Sequence, residues 1–379
     1  MNKFKVMALL IALSLLGADV LYTAWTTKRI SNTAGASFNS AIAVCGSKIY
    51  VVWQDTTSGF HDIYFRKSAN DGATWQSTQR LTYTPNGSIN PAIAVYGSNI
   101  YVVCEDWTWG SPEICFRRSA DGGATWGTAK RLTYNAGSSA GPAIAVNDKN
   151  IYVVWRDDTS GSGDIYFRKS SDSGVTWQAK KKIISNDLVS ENPDIAVNGS
   201  SIYVVWSDFD LVSGLQEIYF RKSIDGGSTW QTKKRLTNNS SGSICPHIAV
   251  SGSNIYVVWE DTTPEIYKIY FRKSADDGTT WQATQRLMDT LAESAGFPAM
   301  AARGSNIYVV WGSGTSGNAE IYFCKSIDSG STWQTAQRLT NNVGDSYGPV
   351  MAVSGTNVYV AWQDETPGNL EIYLKYSPL

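Results

Sequence analysis

The sequence predicts an all-β protein: a seven-bladed β-propeller of four-stranded antiparallel blades, its ring closed by an N-terminal strand joining the C-terminal blade. Three observations predict it. First, Trp25, Trp75, Trp126, Trp177, Trp230, Trp281 and Trp333 recur at spacings of 50, 51, 51, 53, 51 and 52 residues, which is a repeat period. Second, each period holds four short runs of β-branched and aromatic residues bounded by Gly, Asn, Asp and Ser, with no helical periodicity. Four strands per period make one propeller blade. Third, the two ends are complementary. The last unit stops at Tyr373-Leu374-Lys375-Tyr376-Ser377, three strands in, and Trp25-Thr26-Thr27-Lys28-Arg29-Ile30 matches a fourth strand alone. Pairing them removes an exposed sheet edge and completes seven blades.

In chain order, Lys3 and Lys5 precede an apolar run over residues 6–16 and the small pair Gly17 and Ala18. This is the layout of a secretory signal peptide over residues 1–18, and the run is too short to span a bilayer. We therefore expect an exported protein, extracellular or periplasmic, with one propeller domain over 19–379, no membrane span and a monomeric state. The unit beginning at Pro91 typifies the rest. It has an apolar first strand at 92–95, a turn at Gly97-Ser98-Asn99, a second strand at 100–103 and a polar loop. A third strand at 113–117, a turn ending at Trp126 and a short fourth strand from Lys130 to Thr133 complete it. The 32 basic and 33 acidic side chains leave a formal charge of −1, which argues against nucleic acid or an anionic membrane as partner.

The turn before Trp126 reads Ser119-Ala120-Asp121-Gly122-Gly123-Ala124-Thr125-Trp126, with Asp172, Asp225, Asp276 and Asp328 in later copies and Asn70 in the first. It resembles the Asp-box, Ser-x-Asp-x-Gly-x-Thr-Trp, of the sialidase-like (neuraminidase-type) BNR-repeat β-propellers, over essentially the whole chain after the leader. An Asp or Asn can cap its own turn, Gly permits positive φ, and Trp is an apolar wedge, so the motif's chemistry is structural. The resemblance implies a box on the bottom periphery and a ligand on the opposite, top face. In sialidases that face carries three arginines for a carboxylate, a Tyr–Glu nucleophile pair and an acidic Asp. Of the 14 Arg here, Arg29, Arg80, Arg131, Arg235, Arg286 and Arg338 fill the fourth-strand slot, and Arg66, Arg117, Arg118, Arg168, Arg221 and Arg272 precede the box. Arg303 falls in a bottom turn, leaving Arg156 for the top face. Recognition of a carboxylate by several guanidinium groups is therefore not expected, and no inner strand has the family's Arg-Ile-Pro-like motif.

Acidic residues end the second strand (Asp55, Asp106, Asp157, Asp208, Asp261, Asp364) and begin the third (Asp62, Glu113, Asp164, Glu217, Glu320, Glu371). Such pairs have the chemistry for glycoside hydrolysis or for Ca²⁺. Because they recur around the ring they read as loop-tying acceptors, and no cofactor or metal is expected.

Departures from the repeat are more informative. Trp107 and Trp109 lie in the top loop of the second blade, and Phe60 and His61 in that of the first; they either form a wall for the apolar face of a sugar or cover a hairpin. On the inner strands the residue after Pro is Asp194 in one unit and His247 in the next, either a weak acid–base candidate or a structural contact. Cys104 and Cys115 replace the usual Trp and Tyr at facing positions, which suggests a disulfide, permitted in an exported protein. We thus expect non-catalytic glycan binding by Phe60, His61, Trp107, Trp109, Arg156, Asp194 and His247. A divergent sialidase or other glycoside hydrolase, and a protein-interaction scaffold, are the alternatives.

Overall fold

The computed structural model describes residues 25–378 except 162, 185–187, 211–213, 263–265, 288–293, 315–317 and 356. The signal-peptide expectation for residues 1–18 lies outside the described residues. Seven four-stranded antiparallel sheets form the ring, six of them in simple sequence order from the axis outwards. Blade 1 shows the plan: first strand Ser37–Cys45, second Lys48–Asp55, third Asp62–Ser68 and fourth Gln79–Arg80. The seven first strands contact one another in a closed circle around a central channel. Blade 7 is the split one, with Thr26–Arg29 pairing antiparallel to Glu371–Pro378 in the register Thr26↔Tyr376 to Arg29↔Tyr373. No helix among the described residues is long and apolar enough to cross a membrane.

Each second strand is buried along nearly its whole length because both faces of the blade are covered. Alternation decides which neighbour a residue meets. Tyr101 and Val103 pack with Trp155 of blade 3, whereas Ile100 and Val102 pack with Tyr50 and Phe65 of blade 1.

The first strands begin earlier than their apolar runs suggest. That of blade 2 is Ser88–Tyr96 and passes through a register shift between Ile89 and Ala92. The same bulge recurs in every blade, with positive φ at Asn39, Asn90, Gly141, Asn192, Cys245, Phe297 and Gly348. Asn and Gly accept that conformation readily; Cys245 and Phe297 do so at a cost in backbone strain.

The box is an inter-blade device as well as a turn. Asp121 Oδ1 accepts from the Thr125 amide at 2.9 Å and Oδ2 from the Thr125 hydroxyl at 2.6 Å, while Ser119 Oγ accepts from the Gly123 amide at 2.8 Å. Gly123 has φ +79°, and a Cβ there would meet the Phe65 ring at 2.6 Å, so both the turn and the adjoining blade require glycine. Trp126 then stands edge-on to Phe65 at 5.1 Å. Trp25 makes the same contact with Phe323 at 5.4 Å, which places the N-terminal Trp as the wedge of blade 7.

Candidate functional site

The recurring carboxylates tie loops together. Glu113 accepts from Arg131 Nη2 at 2.6 Å and the Asn135 amide at 2.8 Å. The same pattern joins Arg29 to Glu371, Arg80 to Asp62, Arg235 to Glu217 and Arg338 to Glu320. The second-strand aspartates cap their own loops: Asp157 Oδ1 accepts from the Thr159 amide at 3.0 Å and Asp55 Oδ1 from the Thr57 amide at 2.7 Å. The arginines before the box are also committed, as Arg66 Nη1 donates to the Ile30 carbonyl at 2.5 Å and Arg117 Nη1 to the Leu81 carbonyl. Among the described residues, no group of three or more His, Cys, Asp or Glu is arranged to hold a metal ion.

The second-to-third-strand loops and the inter-blade connectors lie at the end of the ring opposite the boxes. Here Phe60 is 56 % exposed, Trp107 38 % and Trp109 43 %. The connector between blades 1 and 2 links the two aromatic loops. Gly87 accepts from the Trp107 amide at 3.0 Å, and His61 O accepts from the adjacent Ser88 amide at 2.6 Å. The His61 ring packs edge-on against Phe38 of the first strand, centroids 5.3 Å apart, and its Nδ1 is buried without a hydrogen-bond partner. Trp109 is held from outside: the Arg131 guanidinium lies 4.2 Å from the Trp109 ring centroid and 4.6 Å from that of Tyr134. Phe60, His61, Trp107 and Trp109 therefore belong to one stretch of the top face.

The other candidates lie on the channel wall. Asp194 and His247 are brought together, Asp194 Oδ2 standing 3.6 Å from His247 Nδ1. The carboxylate is occupied by backbone, its Oδ1 accepting from the Ile195 amide and Oδ2 from the Ile248 amide, each at 2.9 Å. Asp194 thus latches blade 4 to blade 5. Arg156 is neutralised by Asp158 at 3.0 Å and Glu191 at 3.7 Å. Cys104 and Cys115 are direct cross-strand partners, and the structure holds both as free thiols. Cys115 Sγ donates to Asp106 Oδ2 at 3.6 Å.

The sequence reading passes over a further set at the channel mouth. The residue before the second-strand acid, or before Ser313 which replaces it in blade 6, is Gln54, Glu105, Arg156, Ser207, Glu260, Gly312 or Gln363, so this position differs between neighbouring blades except across the Gln363–Gln54 junction. In four of the blades its side chain satisfies the bulge of the following blade. Gln54 accepts from the Asn90 amide at 2.9 Å, Glu105 from the Gly141 amide at 2.8 Å, Glu260 from the Phe297 amide at 2.6 Å and Gln363 from the Asn39 amide at 2.9 Å. Burial pushes the Glu105 and Glu260 carboxyls up from the ordinary range, against the lowering pull of these bonds. Phe297 itself is 61 % exposed. The signal available in the sequence was Asn or Gly directly before Pro in Asn90, Gly141, Asn192 and Gly348.

Comparison with known proteins agrees with this architecture. The family model for the BNR repeat-like domain matches residues 161–360, more than half of the chain. No curated protein matches it. Among solved structures, one polysaccharide lyase superposes with a TM-score of 0.64 at 10 % identity, covering 95 % of this chain and 100 % of its own. Another, an ulvan lyase, gives 0.63 at 12 % identity with 91 % and 95 % covered. A mutant Trypanosoma rangeli sialidase displaying trans-sialidase activity gives 0.53 at 10 % identity, covering 94 % of this chain and 59 % of that one. At such identities the likeness is one of fold. The seven closed blades, the box in its inter-blade role and the matched repeats together place this chain in the BNR repeat-like domain family, as a sialidase-like β-propeller.

Proposed function

We propose that this propeller binds a glycan on its top face and does not hydrolyse it. The observation that carries this reading is the exposed aromatic stretch over blades 1 and 2, where the Phe60, Trp107 and Trp109 side chains reach solvent, Trp109 with the Arg131 guanidinium over its ring. Aromatic faces with a few polar neighbours match the apolar face and the hydroxyl rim of a sugar. The solved structures with this fold include polysaccharide lyases and a sialidase, in keeping with a carbohydrate ligand.

Hydrolysis is disfavoured by how the charged groups are spent. Arg156 faces Asp158 and Glu191, so it does not offer the converging guanidinium groups that a sialic acid carboxylate needs. Asp194 is engaged by two amides, and Glu105 and Glu260 close bulges. A glycan array probed with the mature protein, beside a fluorogenic sialoside assay on the same preparation, tests this. Binding without turnover is expected; turnover would overturn the non-catalytic reading.

The proposal extends to location: an exported protein, in whose oxidising surroundings Cys104 and Cys115 become a cross-strand disulfide. Non-reducing peptide mapping of the secreted protein would then yield the 104 and 115 peptides joined. Two free thiols would count against the pairing.

A further inference from the structure

The cleft between blades 1 and 2 differs from its counterparts around the ring. In six blades the second strand carries a Trp whose indole lies against Ile, Phe or Leu of the preceding blade. Trp155 against Ile114, Phe116 and Leu132 is one case, and Trp362 against Ile321, Phe323 and Leu339 another. A cross-strand Tyr stacks over each indole, from 5.8 Å for Trp206–Tyr219 to 6.2 Å for Trp53–Tyr64. In four blades the indole N–H donates to the aspartate two residues on, Trp155 to Asp157 at 3.4 Å, Trp206 to Asp208 at 2.7 Å, Trp259 to Asp261 at 3.2 Å and Trp362 to Asp364 at 3.0 Å.

Blade 2 keeps this socket and lacks the ring. Ile63, Phe65 and Leu81 cluster with Cys104 and Cys115, which stand where the Trp and Tyr stand elsewhere. The acceptor is retained: Asp106 is 5 % exposed, its Oδ1 accepts from the Thr108 amide at 2.9 Å, and its Oδ2 is reached by the Cys115 thiol at 3.6 Å, a weak donor that the disulfide would remove. The half-open cleft here, about 310 Å³, is lined by Ile63, Leu81, Val102 and Phe116, by the two cysteines and Asp106, and by Tyr83 and Arg117. The corresponding clefts before blades 5 and 7, about 510 and 250 Å³, are lined by the chain's own indoles, Trp259 and Trp362, so the blade 1–2 cleft is set apart by its lining and not by its size.

We propose that this cavity is a ligand site for a small planar aromatic molecule with an N–H donor, of the indole class, seated where the other blades seat tryptophan. An apolar cleft wall with no side chain seated against it forfeits the dispersion contacts that the indole supplies in the other blades. Apolar cavities of this kind take up aromatic molecules, and the volume is within the range of ligand pockets. Asp106 adds direction, because a buried acceptor whose usual donor is missing gains from an incoming N–H. The site is separate from the glycan surface, and its test does not depend on that reading.

The experiment is thermal melting of the whole protein against increasing indole. A saturable rise in Tm of about 2 °C or more is expected for the wild type, and N-methylindole, which has no N–H, is expected to bind about tenfold more weakly. The variant Cys104→Trp/Cys115→Tyr, which restores the pair found in the other blades, should show no indole-dependent rise. No rise in the wild type, an undiminished rise in the variant, or equal binding of the two indoles would overturn the proposal. Should the variant fail to fold, bromoindole soaked into wild-type crystals gives an independent reading: bromine in the blade 1–2 cleft supports the site, and its absence there overturns it.

Discussion

Trp107 and Asp194 are both departures from the repeat, and the structure gives them different work. Trp107 projects from a loop anchored through its own backbone to Gly87, so its side chain is free to meet a ligand without holding the fold. Trp107→Ala should leave the melting temperature unchanged and weaken glycan binding by about 2 kcal/mol, roughly thirtyfold, as loss of a stacked aromatic anchor does. Asp194 was legible as an oddity on the inner strand, but not its role, since nothing in the sequence tells which amides a carboxylate will find. With two backbone donors on it, Asp194→Ala should cost about 1–3 kcal/mol of stability in denaturant unfolding. Unchanged stability would return Asp194 to the list of groups free for chemistry.

At the scale of the element, the box and the bulge show what repetition reveals and what it hides. The box was readable because its Ser, Asp, Gly, Thr and Trp each do a distinct job at fixed spacing. The bulge was not, because Asn90-Pro91 or Gly348-Pro349 reads as a turn signal until the strand is seen to continue through it. The box also predicts an acid response. Bonds from Thr125 and Ser119 hold the Asp121 carboxyl well below the usual carboxylate range, and those from Thr176 and Ser170 hold Asp172 at about 2. A carboxyl depressed in the folded state favours folding above its unfolded value and loses that contribution as pH falls through its folded one. Stability should therefore decline between about pH 4 and pH 2, and Asp121→Asn together with Asp172→Asn, imitating Asn70 of the first box, should flatten that decline. A variant with the same acid profile as the wild type would remove the boxes from the account.

The molecule as a whole is a closed circle, and closure was the most legible feature, since an orphan fourth strand at one end and a missing one at the other have few explanations. The structure adds what fastens it: the four-residue pairing with Glu371–Pro378, the Arg29–Glu371 ion pair at 2.8 Å and the Trp25 wedge on Phe323. Removing residues 25–29 should lower the melting temperature of the entire ring by several degrees in one cooperative transition. An unaltered melt would mean that the strand contributes nothing to closure. Function was less legible than fold because near-identical blades leave few positions to distinguish a site. Several of those that do stand out, Arg156, Asp194 and Glu105 among them, are tied to neighbouring groups.

The central claim is that the aromatic stretch of blades 1 and 2 binds carbohydrate. Its most direct test is the affinity of the wild type and of Trp107→Ala/Trp109→Ala for a glycan selected on the array, measured by calorimetry at matched thermal stability. The account predicts measurable binding by the wild type and loss of most of that affinity in the variant; equal affinity in both would place the ligand elsewhere and contradict it.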